Sequence, residues 1–133
     1  MIETDILIAL ASKTDKHHAE VKKLLENLTA VKLSPYSFIE LDLLVASRNL
    51  IVKLPDFYEA LEAALAYYGV TILAPHPVHF KRAWIFRRKY NLTFFDSLHA
   101  ATAVEKGETL VSFDKRYSNI KELKYKHPSR YSK

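Results

Sequence analysis

Five acidic side chains lie in four segments that are far apart in the sequence, and together they could bind a metal ion. They are Glu3, Asp5, Glu40, Asp96 and Asp114. Carboxylate oxygens suit hard divalent cations such as Mg²⁺ or Mn²⁺. Two such ions, roughly 4 Å apart, activate water and stabilise the leaving oxygen when a phosphodiester is cleaved. Without a cation, clustered carboxylates raise one another's pKa, so a cluster predicts either a metal or a shared proton.

The hydrophobic pattern predicts the elements that must bring these acids together. It predicts a short strand running into a turn or short helix over residues 2–10, and further strands over residues 30–33, 70–74 and 109–113. Helices are expected over about residues 15–28, 35–50, 55–68, 77–90 and 93–106, and the tail could add a fifth strand. Strands separated by helices need crossovers. We therefore expect an α/β fold with three α/β/α layers and a central parallel sheet of four or five strands.

The five acids fall at the ends of predicted elements, where parallel α/β folds form their sites. Glu3 and Asp5 lie in or just past the first strand, and Asp114 immediately follows the fourth. If these two strands are neighbours, the three carboxylates face one another across one edge. Asp96, in the first turn of its helix, and Glu40, in the second turn of another, could complete a ring.

Each acid also has an ordinary structural explanation. Thr93 and Asp96 match a capping box with Asp in place of Glu, and Ser37 and Glu40 match another. Asp114 could simply begin the turn that follows it. Capping does not explain why all these acids would gather at one end of a sheet. For Asp96, capping and metal binding are compatible, because a helix start holds the carboxylate rigidly.

Composition and charge narrow the class of protein. A chain of 133 residues with 49% hydrophobic content fits one globular domain, residues 1–133, and it contains no cysteine for disulfides or thiolate zinc sites. The acidic N-terminus does not fit a signal peptide, and no apolar run approaches the roughly 18 residues of a membrane span, so we expect a soluble cytoplasmic protein. The net charge of +5 is concentrated in a basic C-terminal tail, residues 115–133. RNA or an acidic protein segment would suit that tail, and a solvated surface would explain it equally.

Several acid-bearing segments resemble the PIN domain family, and in particular the VapC-type toxins. Residues 96–103, DSLHAATA, resemble the family's Asp at the start of an Ala-rich helix, with His99 three residues later. Residues 110–117, LVSFDKRY, resemble its apolar strand that ends in Ser, one residue and Asp. Glu40 stands where the family carries an acid on a long helix, and Glu3 stands at the acid of the first strand. The resemblance spans about residues 2–117.

The resemblance implies a Mg²⁺- or Mn²⁺-dependent endoribonuclease that forms a homodimer and is inhibited by a cognate antitoxin. The implied metal ligands are Glu3, Asp5, Asp96 and Asp114, and the implied catalytic acids are Glu40, Asp96 and Asp114. The groups expected to support them are Thr4, His99 and Ser112, although His99 could also be a ligand and Ser112 a simple strand-end hydroxyl. The basic residues expected to contact RNA phosphates are Lys115, Arg116, Arg87 and Arg88. The tail tyrosines Tyr117, Tyr125 and Tyr131 are expected to contact RNA or the antitoxin.

One position departs from the family pattern. Glu3 replaces the usual Asp and is one methylene longer, which would move a ligating oxygen by roughly an ångström at a site for octahedral Mg²⁺. Asp5 could take its place, or the protein could bind RNA or a partner without cleaving. A phosphatase or a DNA nuclease with similar carboxylates is a third possibility. Because only two residues precede Glu3, we also expect the native chain to begin upstream of Met1, which mass spectrometry of the native N-terminus would test.

Overall fold

A computed structural model describes residues 1–131, in which six α-helices alternate with short parallel strands. The helices are α1 Thr4–Ala11, α2 His18–Asn27, α3 Ser37–Ala46, α4 Asp56–Tyr67, α5 Pro77–Tyr90 and α6 Phe94–Lys106. The strands are β1 Lys32–Leu33, β2 Thr71–Ile72, β3 Leu110–Val111 and β4 Tyr125–Lys126. Two 3₁₀ helices cover Lys115–Asn119 and Pro128–Tyr131. Lys133 of the basic tail lies outside the described residues.

The strands form two short parallel pairs that a single residue connects. β1 pairs with β2 and β3 pairs with β4. Ile2 forms parallel bridges with both Leu33 of β1 and Val111 of β3. The expected regular sheet of four or five strands is therefore reduced to two-residue strands around Ile2. The first predicted strand is this short because α1 begins at Thr4, so most of residues 2–10 are helical.

Most predicted helices are confirmed, but two begin later than expected. Asp15 does not cap α2: its carboxylate accepts the backbone N–H of His17 at 2.8 Å, and the helix starts only at residue 18. Residues 35–36 precede α3, which ends at Ala46 rather than at residue 50. The predicted end of α6 at residue 106 is confirmed, since Gly107 has the left-handed φ of +64° that closes this helix.

The apolar core has two parts on opposite sides of the strands. Helices α1 to α4 pack in one cluster that includes Ile2, Leu33 and Val111. Helices α5 and α6 pack in the other cluster, which includes Leu110. Successive residues of a strand point to opposite faces, so Leu110 and Val111 each serve one cluster. Within the described residues, no helix is both long and apolar enough to span a bilayer.

Candidate metal centre

Glu3 is a buried acid at the start of α1. Its side chain is 5% exposed, and its Oε1 accepts the backbone N–H of Asp5 at 2.9 Å, which caps the helix. Its Oε2 accepts the Tyr117 hydroxyl at 3.0 Å. Burial, reinforced by the charges of Glu40 and Asp96, raises the pKa of Glu3 to about 7. A buried carboxylate whose pKa is raised in this way is suited to a bound proton or a bound cation.

Asp5 faces the segment that follows β3. One oxygen, Oδ2, accepts both the Ser112 hydroxyl and the backbone N–H of Phe113, each at 2.8 Å. The other oxygen, Oδ1, is buried and has no hydrogen-bond partner. Burial and the neighbouring charge of Glu3 raise the pKa of Asp5 to about 8. Asp5 therefore connects the Asp114 segment to α1, and one of its carboxylate oxygens is buried without a hydrogen-bond partner.

Glu40 reaches the same cluster from α3. Its Oε1 accepts the Thr4 hydroxyl and the Nε2 of His99, the latter at 2.8 Å. His99 is fully buried, and its Nδ1 lies 2.6 Å from the Ser34 hydroxyl. Burial acts to raise the pKa of Glu40, but the hydrogen bonds from His99 and Thr4 outweigh it and hold the pKa below its usual value. Glu40 is thus ionised and oriented by two fixed donors.

Asp96 does not take part in capping its helix. Thr93 is the N-cap of α6 but makes no side-chain cap bond, so the predicted capping box is wrong. Asp96 Oδ1 instead accepts the Tyr117 hydroxyl at 3.1 Å, and Oδ2 lies 3.6 Å from the Arg116 guanidinium. The one hydroxyl hydrogen of Tyr117 serves either Glu3 or Asp96 at a given moment. Tyr117 therefore couples the two acids.

Asp114 follows β3 and does two things at once. Its Oδ1 accepts the backbone N–H of Arg116 at 3.0 Å, so it caps the 3₁₀ helix as its turn position suggested. The Arg116 guanidinium also approaches Asp114 Oδ2 to 2.6 Å. The hydrogen bond from Arg116 lowers the pKa of Asp114 below its usual value. Arg116 thus stands between Asp96 and Asp114 and neutralises part of their charge.

The separate contacts join the acids into one group. Glu3, Glu40 and His99 each offer a ligand atom, and these atoms lie within 4.8 Å of one another. Tyr117 connects Glu3 to Asp96, and Arg116 connects Asp96 to Asp114. The atoms that could ligate a metal are mostly carboxylate oxygens, which suit Mg²⁺ or Mn²⁺. With the unpaired Asp5 oxygen and two raised carboxyl pKa values, the residues present fit a divalent cation.

The basic residues predicted from sequence occupy different positions. Arg116 lies within the acidic group, whereas Lys115 and Arg88 are exposed. Arg87 donates its Nε–H to Ser97 at 2.7 Å and is stacked between two aromatic rings, Trp84 and Phe94, each 4.7 Å from its guanidinium carbon. Of the four, only Arg116 contacts the acids in the described structure.

Two site residues escaped the sequence-based prediction. Tyr117 was expected to contact RNA or the antitoxin, but it is 2% exposed and contacts two acids. The sequence signal for a site role was its position three residues after Asp114, just past the apolar run at residues 109–113. Ser34, which the sequence did not mark as a site residue, contacts His99. Thr4 and Ser112 do contact the acids, through Glu40 and Asp5 respectively.

Comparison with known proteins places the fold in a family. The sequence matches the model of the PIN domain over residues 1–123, and the chain belongs to the PIN domain family. This confirms the resemblance found in the motifs. No curated protein sequence matches the chain.

Solved structures of similar fold include VapBC2 from Rickettsia felis bound to a DNA fragment from its promoter, with a TM-score of 0.74, 18% identity and 96% of each chain covered. A toxin–antitoxin complex from Klebsiella pneumoniae has a TM-score of 0.68 and 21% identity, over 96% of this chain and 95% of the other. VapC20 from Mycobacterium tuberculosis, a sarcin–ricin loop cleaving toxin, has a TM-score of 0.67 and 22% identity, over 88% and 91%. At these identities the likeness is one of fold.

Proposed function

We propose that the protein is a Mg²⁺- or Mn²⁺-dependent endoribonuclease and the toxin of a toxin–antitoxin pair. The observation that carries this proposal is the cluster of Glu3, Glu40 and His99, whose ligand atoms lie within 4.8 Å of one another. Asp96 and Asp114 come from two further segments and are joined to this cluster through Tyr117 and Arg116. Solved structures of similar fold include toxin–antitoxin complexes and a toxin that cleaves the sarcin–ricin loop. RNA is therefore the favoured substrate over DNA or a phosphomonoester.

The residues take distinct roles in this proposal. Glu3, Asp96 and Asp114 hold the cation, while Asp5 serves by fixing the segment after β3 and offers its unpaired oxygen as a further ligand. A bound cation supplies Lewis acidity to the phosphoryl group and to water. Glu40, ionised and fixed by His99 and Thr4, accepts a proton from the attacking water or orients it.

Arg116 has a second role at the substrate. In the free protein its guanidinium is bound to Asp114 and approaches Asp96. A cation on these acids weakens their attraction for the guanidinium, because it neutralises the same charge. Arg116 is then available to contact an RNA phosphate, for which its planar set of donors is well suited.

Two protein partners are also proposed. An apolar groove beside α4 is lined by Phe38, Leu61, Leu65, Val70 and Ile72, and it suits an apolar antitoxin segment. Exposed aromatic side chains at Phe80, Trp84 and Phe94 suit a homodimer contact. Co-purification with the product of the adjacent reading frame tests the first proposal, and sedimentation equilibrium of the protein tests the second.

RNA cleavage tests the proposed function. Structured RNA is incubated with the purified protein in Mn²⁺ and in EDTA, beside Asp96→Asn and the exposed control Asp56→Asn. We expect cleavage in Mn²⁺ only, a loss of roughly 10²-fold or more in Asp96→Asn because one carboxylate that would hold the cation is removed, and no loss in the control. Cleavage that persists in EDTA or in Asp96→Asn overturns the assignment.

A non-cleaving RNA-binding module is the second candidate. It is favoured by the Tyr117 hydroxyl, which already bridges Glu3 and Asp96, and by the extra methylene of Glu3. The two candidates differ in one assay: this module binds RNA in a gel-shift experiment but leaves it intact in Mn²⁺. Replacing Glu3 with the shorter Asp would then create cleavage, whereas in the leading proposal the natural protein already cleaves.

A further inference from the structure

A small pocket opens beside the acidic group and is not used by the roles given above. Its volume is about 170 Å³, well below the roughly 300–1,000 Å³ of pockets that hold drug-sized ligands. Asp96, Asp114, Arg116 and Tyr117 form the wall that it shares with the acidic group. A ligand in this pocket would therefore lie directly beside a phosphate bound at the acids.

The other walls combine apolar surface with uncommitted polar groups. Leu92 and Ile120 line the pocket, together with the polar side chains of Asn91, Thr93 and Asn119. Among residues 1–131, these three polar side chains make no hydrogen bond to the protein. Asn91 and Thr93 belong to the loop between α5 and α6, and Asn119 ends the 3₁₀ helix after Asp114. Asparagines from two different segments thus line the same pocket.

The chemistry of these walls selects the ligand. Two carboxylates border the pocket, and the Arg116 guanidinium is already paired with them. An anionic ligand is therefore disfavoured in the pocket. A neutral planar group suits the apolar surfaces of Leu92 and Ile120. Each Asn amide presents both donors and an acceptor, and proteins read unpaired RNA bases through such hydrogen bonds to the base edges.

We propose that this pocket binds one unpaired nucleobase of the RNA, adjacent to the phosphodiester that is cleaved, and that Asn91 and Asn119 read its edge. The inference rests on the proposed function and specifies its substrate as single-stranded RNA with a base preference beside the cut. Thr93 adds a hydroxyl at the mouth of the pocket, whereas the Tyr90 hydroxyl is committed to Glu122 and to the backbone N–H of Lys121.

Nuclear magnetic resonance of the ¹⁵N-labelled protein tests this without relying on cleavage. The four ribonucleosides are titrated separately in EDTA, and the side-chain amide signals of Asn91 and Asn119 are followed. We expect one nucleoside to shift both signals at lower concentration than the other three. In Asn119→Ala its affinity falls about 5- to 10-fold, the loss expected for one hydrogen bond. The matched control Asn49→Ala, outside the pocket, titrates like the natural protein.

Two results overturn the proposal that this pocket binds a base. The first is that no nucleoside shifts either amide, and the second is that Asn91→Ala and Asn119→Ala both bind nucleosides like the natural protein. Sequencing of the cleaved RNA ends separates this inference from the proposed function. Cleavage with an unchanged base preference in both variants refutes the pocket while the nuclease stands. Selective nucleoside binding without any cleavage retains the pocket and refutes the nuclease.

Discussion

Replacing Glu3 with Gln should stabilise the metal-free protein, and only at high pH. Gln keeps the shape of the side chain and an oxygen that accepts the Asp5 N–H, but it carries no charge. Burial raises the pKa of Glu3 from 4.5 to about 7, so the folded state binds its proton more tightly than the unfolded state. The stability that this bound proton contributes is complete below pH 4.5 and is lost as the pH rises through 7.

The size of the effect follows from the same pKa shift. One pKa unit corresponds to about 1.4 kcal/mol, so ionising Glu3 costs the folded protein about 3 kcal/mol at pH 8. This is a large part of the roughly 5–15 kcal/mol that stabilises an ordinary domain. Asp5 adds to the effect, because the charge of Glu3 helps to raise the pKa of Asp5.

Urea unfolding in EDTA at pH 4.5 and pH 8 measures this difference. With a slope of roughly 1–3 kcal/mol per molar urea, the unfolding midpoint of Glu3→Gln should lie about 1 M or more above that of the natural chain at pH 8, and close to it at pH 4.5. Glu62→Gln, at an exposed position on α4, serves as the control and should show no such gain. A Glu3→Gln midpoint at or below the natural one at pH 8 would show that the Glu3 charge does not destabilise the folded protein.

Three further predictions concern the same group. Tyr117→Phe should bind Mn²⁺ about 10-fold more weakly in calorimetry, because the hydroxyl that orients Glu3 and Asp96 is lost. The exposed control Tyr67→Phe should bind Mn²⁺ normally, and equal affinity of the two variants contradicts this role of Tyr117. Mn²⁺ should raise the melting temperature more at pH 8 than at pH 5.5, because protons compete for the raised carboxyl groups, and an equal rise at both pH values counts against the site. Arg116→Ala should raise the KM for RNA by about 10-fold with little change in kcat, and an unchanged KM would remove its phosphate role.

The parts of the fold that local sequence determines were predictable. The helix over residues 77–90 was predicted at its observed bounds, because Pro77 can occupy only the first turn and Asn91 ends the helix in the left-handed region. The fourth strand and the turn at Asp114 were also recognisable from an apolar run followed by Asp. The first strand was not, because the bridge of Ile2 depends on two distant partners, Leu33 and Val111.

The candidate site was predictable as a set of acids but not as a set of contacts. Which acid each donor reaches depends on packing between distant elements, as in the bond between His99 and Glu40. Tyr117 was expected to contact a partner because it lies in the basic tail beside Lys115 and Arg116, whereas the 3₁₀ helix turns the phenol inward. The same helix turns Arg116 back onto Asp114, a pairing that the sequence left open.

Anomalous diffraction from a crystal soaked in Mn²⁺ shows whether Glu3, Asp96 and Asp114 bind one divalent cation, as proposed. We predict an anomalous peak within about 2.5 Å of an oxygen of each of these carboxylates, with Glu40 at hydrogen-bond distance from a water beside it. The peak should vanish in crystals of Asp96→Asn. A peak bound instead by Glu40 and His99, or a crystal with no peak among the acids, would contradict the account.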